Sequence, residues 1–189
     1  MNDVQAYESM FTRAKIHFVK VPEVRRVMSE VVLNQARYTS VGNAVGMPWF
    51  IIAAIHNLES NLRFDCHLYN GDPLSDRTVH VPQGLPKEGD PPFTWEESAV
   101  DALAGTRIFH PRVWGIGEIL DFLERYNGLG YRERGMNSPY LWSFTDQYVS
   151  GLFTSDGVYD QKAVSNQVGA AALIKELLLK GYISLDGGI

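Results

Sequence analysis

Residues 53–64 read AAIHNLESNLRF, and the setting of the glutamate in this stretch governs how the chain is read. Pro48 suits the start of a helix, which is predicted to run to about Leu62. On its wheel, Ile52 lies seven positions before Glu59, Ile55 four and His56 three, so all four share a face. The run Trp49 to Ile55 carries no charge, which predicts a helix buried nearly all round. A carboxylate there is expected to be dry. Burial disfavours the charged form and raises a carboxyl pKa by up to about 3–5 pH units. A glutamate brought near about 6 suits general acid catalysis at neutral pH. The alternative is that Glu59, at the helix end, turns into water or pairs with Arg63 four residues on.

Around this helix the chain has the composition of an ordinary globular protein. It has 189 residues, 45% of them hydrophobic and 21% charged. That length fits a single domain over 1–189, with an N-terminal helical part at 1–45 and a core at 46–181. Nine Tyr, nine Phe and four Trp hint at sugar or peptide binding. The net charge of -5 and the lack of a basic run argue against nucleic acid as a partner. Cys66 is the single cysteine and has no intramolecular partner for a disulfide. The N-terminus lacks the pattern of a secretory signal. No apolar run approaches the roughly 20 residues of a membrane span.

Periodicity predicts further helices. One is expected around 3–15. A second holds Pro22 in its first turn, with Val24, Val27, Met28, Val31 and Val32 as its stripe. TSVGNAVG (39–46) reads as a loop. Residues 64–93 hold Asn70-Gly71, Asp72-Pro73 and four prolines between Pro82 and Pro92. A segment of that length without helix usually carries function, and Thr78–Val81 suits a short strand in a hairpin. TWEE (94–97) is a capping box. A helix from Ile116 to Tyr126 ends at Asn127-Gly128, and a last helix is predicted over Lys162–Lys180. The expected fold is mainly α, of α+β type, with a short β-hairpin or irregular insertion lining a cleft.

IHNLESNLRF resembles the Glu-Ser signature of lytic transglycosylases and goose-type lysozymes. LERYNGLGYR (123–132) is similar to their Ala-Tyr-Asn-x-Gly motif, with Arg125 in place of Ala. HLYNGDPLSDRTVHVPQGLP (67–86), FTWEESAVDAL (93–103) and SPYLWSFTDQY (138–148) look like small phage and bacterial endolysin-like proteins of the lysozyme superfamily. The Gly-Leu-Met-Gln element of the transglycosylases is absent, its place taken by 64–93. The resemblance implies a lysozyme-like fold and a glycosidase, a muramidase, cleaving the β-1,4 strand of peptidoglycan. Partners would be glycan strands, with an export or holin system for delivery from the cytoplasm to the cell wall. No cofactor is expected. The alternatives are a lytic transglycosylase, a chitinase- or chitosanase-like hydrolase, and a glycan-binding module without catalysis.

In that reading Glu59 protonates the leaving oxygen, and a second group holds a water or acts as nucleophile. Asp72 and Thr78 are the catalytic candidates beside it. Asp72 also suits turn chemistry before Pro73, and Thr78 an ordinary strand position. His56, His67, Asn70, Tyr126 and Asn127 are expected to line the substrate. For Tyr126 this comes from the resemblance; its spacing alone suits a core residue, as capping suits Asn127. The zincin pattern, two histidines one turn apart around a glutamate, is absent, so His56 reads as a neighbour of Glu59 or a core histidine, and no metal is expected.

Overall fold

The computed structural model describes residues 3–155 and 157–185. Among them the helices are α1 (Asp3–Arg13), α2 (Val21–Leu33), α3 (Gln35–Val45), α4 (Trp49–Ser60), α5 (Trp95–Ala104), α6 (Ile116–Asn127), α7 (Pro139–Trp142) and α8 (Ala170–Leu179). Strands β1 (Leu152–Ser155) and β2 (Val158–Asp160) pair antiparallel, Phe153 opposite Tyr159. The protein is thus mainly α. No single helix among the described residues is long and apolar enough to cross a membrane. The chain divides into two compact units: a central one, Val31–His110, and a terminal one, Met1–Glu30 with Pro111–Ile189.

The central unit is organised by α4. Ile51, Ile52, Ala53, Ala54 and Ile55 are fully buried, and each Ile contributes roughly 1.5–3 kcal/mol by leaving water. The helix stops at Asn61, which adopts the left-handed conformation at φ 52° and returns its N–H to Asn57 O and His56 O. Asn tolerates that region better than most residues. The stretch expected as a loop at 39–46 is instead most of α3, which packs on α4. Its glycine explains the difference. A Cβ on Gly42 would lie 2.5 Å from Met47 O, so the residue is small for close approach rather than for a turn. α5 starts as predicted: Thr94 Oγ1 accepts from Glu97 N, and the Glu97 carboxylate accepts from Thr94 N at 2.8 Å.

Residues 61–93 hold no helix and no strand. The hairpin expected at 78–81 does not form: Thr78 exchanges backbone bonds with Leu85 and Gly84, and the next two donors go to a side chain. The Asp72 carboxylate accepts from Val79 N and His80 N at 2.8 and 2.9 Å, which takes those two donors out of any strand ladder.

In the terminal unit α6 buries Ile116, Ile119, Leu120 and Leu123 at helical spacing and packs on α1. The final helix begins eight residues later than predicted, at Ala170 instead of Lys162. Asp160 Oδ1 accepts from Lys162 N and Ala163 N at 2.8 and 3.3 Å, a side-chain turn that competes with helix. Gly169 then passes against α7: a Cβ there would lie 2.6 Å from Leu141 O.

Candidate functional site in the central unit

α4 carries His56 and Glu59. His56 is fully buried. Its Nε2 lies 3.1 Å from Arg63 O and its Nδ1 2.9 Å from the Tyr38 hydroxyl. A carbonyl only accepts, so Nε2 carries the proton and Nδ1 accepts from Tyr38. Burial, with a smaller push from the Arg37 charge, lowers the pKa of His56 from 6.5 to about 4, and the ring is neutral at pH 7. It sits among Tyr38, Phe64 and Trp95, with ring centroids 4.6–5.8 Å from its own. His56 is thus a satisfied core histidine with both nitrogens engaged. Glu59 is half-buried at the end of the helix.

The loop after α4 uses the same device. His67 is fully buried, with Nε2 2.8 Å from Asp76 O and Nδ1 2.8 Å from the Ser98 hydroxyl of α5. Asn70 donates to His80 O at 3.1 Å and accepts from Asp72 N. Asp72 also bonds His80 Nδ1 at 2.6 Å. Hydrogen bonds from the His80 backbone and ring, then from Val79, hold its carboxyl down at about 2. Thr78 donates to Pro82 O at 2.6 Å and accepts from Leu85 N at 3.0 Å. The polar groups proposed from sequence as Asp72 and Thr78 are therefore brought together, and both are occupied in holding the loop. Tyr126 and Asn127, half-buried and exposed at the end of α6, belong to the terminal unit.

Beside this loop lies a groove of about 510 Å³. Val41 and Ala44 of α3, Pro86 and Phe93 of the loop, and Val100 and Ala104 of α5 form its apolar lining. Four carboxylates, Glu88, Glu96, Glu97 and Asp101, also line it. Each helical one is held in place. Glu96 takes a bidentate pair from Arg37 at 2.5 and 3.0 Å, and that guanidinium lies 3.9 Å from the Phe64 ring centroid. The Arg37 hydrogen bond lowers the Glu96 pKa, and the Thr94 backbone lowers that of Glu97. Asp101 accepts from the Tyr69 hydroxyl. Arg77 donates to Pro86 O and Gly89 O, tying down the loop side. Sequence reading passed over this groove. It assigned Glu97 to capping and gave the α3 wall to a loop. Its one legible signal was the cluster of acids in WEESAVD (95–101) on an otherwise apolar helix. Among the described residues no group of three or more His, Cys, Asp or Glu is placed to hold a metal ion.

No family model matches the chain, and no solved structure matches it. Among curated proteins it is similar to a leucyl/phenylalanyl-tRNA–protein transferase of Chlorobium luteolum, 29% identical over 99 residues. The similarity covers 49% of this chain and 50% of that protein, so the chain spans about half the length of the relative. This finding overturns the lysozyme-superfamily resemblance and what followed from it: a hydrolase or muramidase, an endolysin role in cell-wall degradation, and peptidoglycan as the partner to the exclusion of nucleic acid. The relative is named for tRNA and protein. The physical reason for the misreading is that its motifs were short and local. An acid closing an apolar helix, and Tyr-Asn before a helix-ending Gly, arise equally from core packing and capping.

Proposed function

We propose that the chain is an aminoacyl-group transferase, whose central groove holds an apolar aminoacyl ester. The observation that carries this reading is the pairing of an apolar lining with four carboxylates in one groove of about 510 Å³. An aminoacyl ester of the leucyl or phenylalanyl type has matching halves, an apolar side chain and an α-ammonium. Val41, Phe93 and Val100 would enclose the side chain, and Asp101 with Glu97 would hold the ammonium. The partial likeness to a leucyl/phenylalanyl-tRNA–protein transferase supports the reaction class. In that class an acceptor amine attacks the ester carbonyl. The C–N bond forms, the C–O bond breaks, and the departing hydroxyl keeps a proton lost by the amine.

The net charge of -5 offers no general attraction for a polyphosphate, so recognition rests on the aminoacyl end. The test is transfer of radiolabelled leucine or phenylalanine from the charged tRNA to a protein with a free α-amine. Leucyl and phenylalanyl donors should react and an aspartyl donor should not. Val100→Trp, which fills the groove, should slow transfer about tenfold or more, the effect of losing ~1.4 kcal/mol of binding. The salt dependence should be shallower than that of an enzyme gripping many phosphates. Absence of transfer, or transfer indifferent to Val100→Trp, would overturn the proposal.

A further inference from the structure

The terminal unit contains a separate cavity of about 180 Å³. By volume it has room for about six water-sized groups of ~30 Å³. Tyr7 and Met10 of α1, Met136, and Trp142 of α7 contribute apolar walls, and the Tyr7 and Trp142 rings stack at 6.4 Å. Glu124 of α6 also lines it and is 2% exposed. Its Oε2 meets Arg132 at 3.1 Å, while Oε1 has no hydrogen-bond partner among the described residues. Glu124 thus brings to the cavity lining a buried carboxylate with one oxygen unpaired among the described residues.

The carboxylate belongs to an ion-pair network. Arg132 also pairs with Asp3 at 3.0 Å and Asp121 at 2.7 Å, and Arg125 pairs with Asp121 at 2.7 Å. Among the described residues, three carboxylates thus share two guanidinium groups. Arg132, which also lines the cavity, spends its Nε and Nη2 on Glu124, Asp121 and the Tyr7 hydroxyl, the last at 2.9 and 3.2 Å, and its Nη1 on Asp3. Burial raises the Glu124 carboxyl above its ordinary pKa, against the opposing pull of Arg132. A buried carboxylate lining a cavity, with one oxygen uncommitted, marks a candidate site.

We propose that this cavity binds a primary ammonium group on a short apolar chain, with Glu124 Oε1 accepting from the ammonium and the Tyr7, Met136 and Trp142 walls enclosing the chain. Both a small free amine and the end of a lysine side chain have that chemistry. The site is distinct from the aminoacyl groove and stands or falls without it.

The experiment is calorimetric titration of the intact chain with n-butylammonium, N-acetyl-lysine methylamide and n-butanol. The butylammonium ion should bind at least about tenfold more tightly than the neutral alcohol. Tighter binding of the lysine derivative would identify a protein side chain as the source, and tighter binding of butylammonium a free amine. Glu124→Gln, of nearly the same shape, should weaken ammonium binding about tenfold. Ala6 of α1 also lines the cavity; Ala6→Leu, which narrows it without altering charge, should also abolish binding and guards against misfolding of the first variant. Equal affinity for alcohol and ammonium, or undiminished binding by a folded Glu124→Gln or Ala6→Leu chain, would overturn the proposal.

Discussion

α4 and the loop that follows it are neighbours in sequence and in the same unit, yet they are held by different forces. α4 is stabilised by transfer: Ile51 to Ile55 are wholly out of water, and its backbone bonds are internal to the helix. The 61–93 loop has no repeating backbone pattern. It is held by scattered backbone bonds, such as Thr78 N to Leu85 O, and by side chains that capture backbone groups, Asp72 on Val79 and His80, Thr78 on Pro82 and Leu85, and Arg77 on Pro86 and Gly89. Each region also contains a buried histidine bridging a helix hydroxyl to a loop carbonyl. The comparison teaches that a long segment without regular structure need not be mobile. It requires a polar partner for each captured backbone group, because an unpaired buried amide costs about 1–3 kcal/mol.

The comparison can be broken by substitution. Ile52→Ala, in the fully buried stretch of α4, should cost about 2–5 kcal/mol through lost transfer and the cavity left behind, measured by urea unfolding. A loss under about 1 kcal/mol would mean that α4 is not the core of its unit. Next in size is the acid response. The unfolded chain protonates His56 near pH 6.5, and the folded chain does so only near 4. Between those values the unfolded state binds more protons, so stability is complete above pH 6.5 and is lost as pH falls toward 4, by roughly 3 kcal/mol. The loop should respond later. The Asp72 carboxyl is lowered from 3.8 to about 2, so its contribution persists above 3.8 and fades below that. Unfolding curves at pH 7, 5 and 4, repeated with His56→Gln, check the order; an unchanged acid slope in that variant would refute the role given to the ring. Smallest is Thr78→Val, which leaves Leu85 N without its acceptor and should cost about 1–2 kcal/mol. Its hydrogen-exchange effect should be confined to the loop amides, and loss of protection spreading through α4 would show that loop and helix are held as one.

Much of the helical framework was legible because its signals are local. The charge-free run of α4, the Thr94–Glu97 box and the spacing of Ile116, Ile119, Leu120 and Leu123 each lie within a few turns of chain. α3 was not legible, since Gly42 looks like a loop residue until Met47 O is seen against it. The start of α8 was hidden for a similar reason at Gly169. Of the site, the sequence showed the acids of α5 but not the wall opposite them. It also suggested catalytic freedom for Asp72 and Thr78, whose atoms are committed to backbone groups 4 to 8 residues away.

Sequence by itself determined where the apolar periodicity lies, where α5 is capped, and that the chain is mainly helical, because those properties depend on neighbours within about four residues. Tertiary structure decided which polar groups are spent and which remain open. Glu59, Asp72, Glu97 and Glu124 are all acids on paper. Their differences, half-buried, clasped by amides, capping beside a groove, or lining a cavity with one oxygen unpaired among the described residues, are set by contacts that the linear order does not contain.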